Sequence, residues 1–147
     1  MWRFVRFYYV SSKRIREKLE RGIFKSILDG LQACHKAGVV HRDLKNENIM
    51  ITDKFEVKLA DFGFAAFKEG KDGKGLLRTW AGTHGYVAPE LYLGVPYHGE
   101  SIDIFSAAVT LFVFTTGTKP FTMATKSDLH YSYIIKNDFE TYLEKNR

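Results

Sequence analysis

The strongest constraint on this chain is one apolar run, residues 102–114, IDIFSAAVTLFVF, in which only Asp103, Ser106 and Thr110 are polar. A run this apolar has to leave water. It falls short of the roughly 20 residues that a membrane-crossing helix needs, so a buried core helix is expected, with no membrane as partner. Ser101, with Asp103 in the first turn, is placed to start that helix and Gly117 to end it. The length supports one core: a chain of 147 residues can bury about two thirds of the surface it exposes when unfolded.

Hydrophobic residues at 45% and charged residues at 27% are ordinary globular usage, which excludes wholesale disorder. The net charge of +5 would suit an acidic partner, but the 22 Lys and Arg residues are spread over the whole length, so charge decides nothing and no nucleic-acid partner is expected. The amino terminus, MWRFVRFYYV, mixes Arg3 and Arg6 into an aromatic run and lacks the uninterrupted apolar stretch of a secretory signal; a cytoplasmic or nuclear location is expected. Cys34, the single cysteine, cannot form an internal disulfide, and beside Ala33 in a helical pattern it is expected to be a buried thiol.

From Ser12 to His35, Ile15, Leu19, Ile23, Phe24, Ile27, Leu28 and Leu31 recur at helical spacing between charged residues. An amphipathic helix is expected there, capped by Ser12 and followed by Gly38. Residues 49–51 and 57–59 read as two short strands around Thr52, Asp53 and Lys54, a hairpin pattern. The polar decamer HRDLKNENIM, residues 41–50, therefore lies on a loop between helix and hairpin, where site residues are often displayed. Residues 68–75 read as a flexible solvated loop whose glycines are not in the order of a GxGxxG nucleotide fingerprint. Ala88-Pro89-Glu90 opens a short helix, and residues 126–145 are expected to form one last amphipathic helix through Leu129, Tyr133, Ile134 and Ile135. There is no internal repeat and no domain linker.

Transferring a phosphoryl group to a hydroxyl requires a base or orienter at the hydroxyl, cations at the phosphates, and oxygen ligands for Mg²⁺. Asp43, Lys45, Asn48 and Asp61 supply those items. HRDLKNENIM resembles the catalytic loop of eukaryotic protein kinases, and Asp61-Phe62-Gly63 resembles their metal-binding DFG motif. GTHGYVAPE (82–90), DIFS (103–106) and GTKPF (117–121) follow in the family's order, so that the resemblance covers roughly residues 15–142. It implies ATP and Mg²⁺ as cofactors. Asp43 would orient the substrate hydroxyl or accept its proton, Lys45 would steady the γ-phosphate, Asn48 and Asp61 would hold the metal, and Met50 would offer a floor for adenine. Lys45 with Thr83 resembles the serine/threonine-specific pattern, which implies protein substrates with Ser or Thr acceptors. Arg42 implies a switch by phosphorylation after DFG, with Thr79 as the residue an upstream kinase would modify. The wording GTxGYVAPE is most similar to the calcium/calmodulin-dependent kinase group.

Several residues have a structural reading within the same resemblance. His41 would pack and hydrogen-bond inside the lobe, Asp103 would hold the catalytic-loop backbone and meet its own burial cost through those bonds, and Glu90 would pair with an arginine beyond the chain. His84, His98 and His130 lack metal-ligand spacing and read as surface or loop residues; His84 stands where this kinase group usually has proline. The implied fold is mainly α, part of an α+β fold: the C-terminal lobe of the kinase fold with a short β-hairpin, the N-terminal lobe being absent. Residues 1–14 are a non-matching basic and aromatic segment, and residues 15–147 are a partial kinase domain truncated before its last helices. No Gly-rich loop, no VAIK lysine and no partner glutamate helix precede the catalytic loop, so the isolated chain is expected to be inactive. A non-catalytic interaction module and a nonfunctional remnant are the alternatives.

Overall fold

The computed structural model describes residues 13–54, 56–71 and 73–145. The apolar run lies within a helix, Gly99–Thr116, labelled α3 in the chain order that follows. At 18 residues this helix is apolar enough, by length and composition, to cross a membrane, so shortness does not separate a core helix from a spanning one. Packing does. Ile102 joins a cluster with Val40, Leu77 and Leu91; Ala107 joins a second with Ile27, Leu31 and Ile49; Val109 joins a third with Tyr86 and Phe121. The helix is the wall that three apolar clusters share.

Its start differs from the expectation. Ser101 is exposed and caps nothing; the cap position is His98, and Gly99 opens the first turn. A Cβ on Gly99 would stand 2.6 Å from a methyl of Val40, so only glycine lets this turn lie directly on the strand Val39–Val40. The end is as expected, with Gly117 left-handed at φ 82° and its N–H on the Val113 carbonyl at 2.8 Å.

Helix α1 (Lys13–Lys36) packs on α3 through the fully buried Ile27 and Leu31. The expected Ser12 cap lies outside the described residues. Gly38, at φ 79°, closes the end with its N–H on the His35 carbonyl at 3.1 Å. The hairpin forms as the pattern indicates: β2 (Ile49–Ile51) pairs antiparallel with β3 (Val57–Leu59), Ile49 opposite Leu59. A second pairing was not foreseen, between β1 (Val39–Val40) and β4 (Ala66–Phe67). The stretch 68–75, apart from Asp72, is a turn in which the Gly75 N–H meets the Glu69 carbonyl at 2.9 Å and Lys68 reaches Glu100 at 3.3 Å. Beyond it, Leu77 and Tyr97 form an isolated antiparallel bridge, and α2 (Pro89–Tyr92) is the short helix expected at Pro89.

The single last helix expected over 126–145 is two, α4 (Leu129–Ile135) and α5 (Phe139–Lys145). Asn137 turns left-handed at φ 56° and Asp138 takes the Thr141 N–H at 3.2 Å, a helix stop followed at once by a new cap. Cys34 is half-buried rather than buried; desolvation first, then the Asp103 charge, push its thiol pKa up. His84 and His98 are exposed, while His130 is half-buried on α4 rather than in a loop.

Candidate active site

The site is built outward from Asp103, a fully buried carboxylate on α3. Its Oδ1 accepts the Arg42 N–H at 2.7 Å, and its Oδ2 accepts the His41 N–H and the His35 Nε2–H, both at 2.8 Å. Those donors meet the burial cost of the charge and fix the decamer onto the core helix. They also hold Arg42 at φ 66°, a left-handed conformation that costs a non-glycine residue about 1 kcal/mol or more. His41 is buried too: Nε2 bonds the Ala60 carbonyl at 3.0 Å, Nδ1 accepts the Asp43 N–H at 3.3 Å, and the ring leans on Phe62. Both ring nitrogens are engaged, which leaves none for a metal or a proton shuttle.

Asp43 sits at the centre of the functional side chains and is 2% exposed. Its Oδ1 accepts the Thr83 hydroxyl at 2.7 Å; its Oδ2 pairs with the Lys45 ammonium at 2.8 Å and lies 3.4 Å from the Asn48 amide nitrogen. Lys45 also donates to the Thr83 hydroxyl oxygen at 2.8 Å. Asp43, Lys45 and Thr83 thus form a closed ring of charge-assisted bonds, although Thr83 lies far along the chain. The sequence placed all three in the site, and the fold brings them together.

Asn48 ends a single turn of 3₁₀ helix, Asn46–Asn48, immediately before β2. Its amide nitrogen donates to the Asp43 carbonyl at 2.9 Å, so Oδ1 is the atom it could offer to a metal. The hairpin carries Asp61 toward it: the Ala60 N–H meets the Asn48 carbonyl at 2.9 Å, and Asp61 is the next residue. Asp61 is exposed, at φ 59°, with Oδ1 accepting the Gly63 N–H at 3.2 Å. Among the described residues no group of three or more His, Cys, Asp or Glu side chains forms a metal cage. One carboxylate with one amide oxygen fits Mg²⁺, which keeps waters and takes substrate phosphate oxygens as its remaining ligands. Met50, between the buried Ile49 and Ile51, points to the other face of β2 and is half-buried.

Arg42 faces the segment after DFG. Its Nε donates to the Phe64 carbonyl at 2.7 Å and its Nη1 to the Thr79 hydroxyl at 2.7 Å. Beside them lies a cavity of about 660 Å³, lined by Arg42, Lys71, Arg78 and Thr79 over the apolar Ala66 and Leu77. Glu90, half-buried in α2, has no ion-pair partner among the described residues. It acts nonetheless on Tyr131, whose hydroxyl is pushed up in pKa by burial first and by Glu90 second. Sequence reasoning missed His35 and Tyr97. His35 was read only as part of a helix end, and nothing local distinguishes Tyr97 from its neighbour Tyr92.

A family model described as the protein kinase domain matches residues 3–146. The chain belongs to the protein kinase family. The match starts before Ile15, where the motif-based resemblance begins. Among curated kinases, the chain is 37% identical over 131 residues to CBL-interacting serine/threonine-protein kinase 20 of Arabidopsis thaliana, covering 89% of this chain and 30% of that protein. To CBL-interacting protein kinase 21 of Oryza sativa subsp. japonica it is 39% identical over 125 residues, covering 85% and 24%. To the serine/threonine-protein kinase SIK3 homolog of Danio rerio it is 41% identical over 123 residues, covering 83% and 10%. The chain therefore spans no more than 30% of the length of these relatives. With five α-helices and two small sheets among the described residues, this kinase-family chain has the make-up of a partial kinase domain.

Proposed function

We propose that this chain is the C-terminal lobe of a kinase fold and supplies the catalytic-loop side of a site that transfers the γ-phosphoryl group of ATP to Ser or Thr hydroxyls of proteins. The closed arrangement of Asp43, Lys45, Thr83 and Asn48 carries this reading. The Thr83 hydroxyl donates to Asp43 at 2.7 Å, the bond that an alcohol substrate needs. As the new O–P bond forms, the substrate proton passes to Asp43. The bond from the γ-phosphorus to the β–γ bridging oxygen breaks, and its electron pair leaves with ADP. Lys45 sets a positive charge beside the γ-phosphate, and Met50 offers an apolar floor to adenine. Mg²⁺ at Asn48 and Asp61 would supply charge that offsets the phosphate oxygens. Arg42 would receive a phosphate placed on Thr79 by an upstream kinase, since the guanidinium already meets that hydroxyl.

A protein-binding role without transfer is the competing reading, favoured by the way Thr83 and Lys45 of this chain already engage both carboxylate oxygens of Asp43. Phosphate transfer from Mg²⁺-ATP to a Ser/Thr peptide separates the two. Turnover that Asp43→Asn lowers about 10²- to 10⁴-fold, with nucleotide binding kept, is the result expected of the protein bearing a complete site. No nucleotide binding to that protein even at millimolar ATP would leave only the binding role.

A further inference from the structure

We infer that Tyr97 is a positioning residue whose hydroxyl locks the segment carrying Thr79 against Arg42; this deepens, and rests on, the reading of Thr79 as a switch. Tyr97 is 3% exposed, so its hydroxyl must find its partners inside the protein. It donates to the Thr79 carbonyl at 2.6 Å and accepts from Arg42 Nη1 at 3.3 Å. Its backbone is tied to the same segment: the Leu77 N–H meets the Tyr97 carbonyl at 2.8 Å, and the Tyr97 N–H meets the Leu77 carbonyl at 3.0 Å. One residue thus grips the segment at two alternate positions, Leu77 by its main chain and Thr79 by its side chain.

The location gives the grip a consequence. Tyr97 immediately precedes the cap of α3, and α3 carries Asp103, which holds the Arg42 backbone at 2.7 Å. Arg42 is accordingly fixed from one region twice, its main chain by Asp103 and its guanidinium by the Tyr97 hydroxyl. With the Thr79 carbonyl held by that hydroxyl, the Thr79 Oγ1 stays 2.7 Å from Arg42 Nη1, at the edge of the cavity that Lys71 and Arg78 also line. An anion on Thr79 would meet cations already in place, and its charge would act on the catalytic loop through Arg42. Without the phenol oxygen, the Thr79 carbonyl loses its donor, and of the ties from Tyr97 to the segment the backbone bridge at Leu77 remains.

Tyr97→Phe, made in the full protein that bears this chain, removes one oxygen and keeps the ring. Amide hydrogen exchange over residues 76–83 is expected to quicken about tenfold, with the exchange of α1 and α3 unchanged. Unchanged exchange over 76–83 overturns the lock, and so does exchange that quickens equally everywhere, since the tyrosine would then be ordinary core. The activity ratio between Thr79-phosphorylated and unphosphorylated protein is expected to fall several-fold, through kcat rather than KM. A wild-type-like ratio in the variant overturns the coupling. Exchange reads the lock without catalysis, so a wild-type protein that transfers no phosphate defeats the kinase reading while the Tyr97 result still decides its own case.

Discussion

Asp103 and Thr110 lie two turns apart on one face of α3 and are both fully buried, yet they meet burial differently. Asp103 has donors from His35, His41 and Arg42, so its charge holds the start of the HRDLKNENIM segment in place. The Thr110 hydroxyl has no hydrogen-bond partner among the described residues. A buried hydroxyl without a partner keeps its desolvation cost, whereas an apolar group of the same shape does not. Thr110→Val is therefore expected to leave stability unchanged or to raise it by up to about 1 kcal/mol in urea unfolding. A loss larger than that would mean that the hydroxyl is bonded in solution. The contrast separates function from packing on one helix face: removing the acceptor at Asp103 would strand N–H groups at the site, while removing the oxygen at Thr110 would strand nothing.

At the scale of elements, α4 depends on a single carboxylate. Asp128 accepts the Tyr131 N–H on one oxygen and the Thr122 and Met123 N–H groups on the other. Burial by itself would raise its pKa, but these backbone donors outweigh burial and hold it below the ordinary carboxylate range. The folded pKa lies below the unfolded one, so this contribution to stability is complete above the ordinary range and is lost as pH falls through the lower, folded value. Amides of Thr122, Met123 and Tyr131 should lose exchange protection on acidification, and Asp128→Asn should flatten that dependence. An identical acid limb in both proteins would place the titration elsewhere. The same region shows what a sequence conveys. Leu129, Tyr133 and Ile134 keep a helical period that carried one helix across Asn137 and Asp138, although an Asn-Asp pair is itself a stop and a start. The hairpin was legible because Thr52, Asp53 and Lys54 punctuate the apolar triplet Ile49-Met50-Ile51 and the alternating Val57-Lys58-Leu59. Strands of two residues, as in β1 and β4, have no period to read. In the site, Asp43, Lys45, Asn48 and Asp61 stood in short motifs, whereas Tyr97 acts across the fold and has no motif around it.

For the whole molecule, the decisive contact is the one that joins the core helix to the catalytic segment. Gly99 begins α3, and an added Cβ would lie 2.6, 2.7 and 2.9 Å from the side-chain carbons of Val40. Val40 is fully buried and directly precedes His41, so whatever moves Val40 moves the decamer. Gly99→Ala forces the first turn of α3 away from β1, and overpacking of this kind costs about 1 to 3 kcal/mol. The displacement would also pull Asp103 from the backbone N–H groups of His41 and Arg42, so activity should fall together with stability. Val40→Ala removes the methyl groups that the new Cβ meets, at its own cost in buried area. If the close approach is the cause, the double variant should be less destabilised than the sum of the single variants, by roughly 1 kcal/mol or more in urea unfolding. Strict additivity would assign the Gly99 effect to backbone conformation alone. Coupling would show that the core helix and the catalytic loop are positioned by one shared contact at Val40.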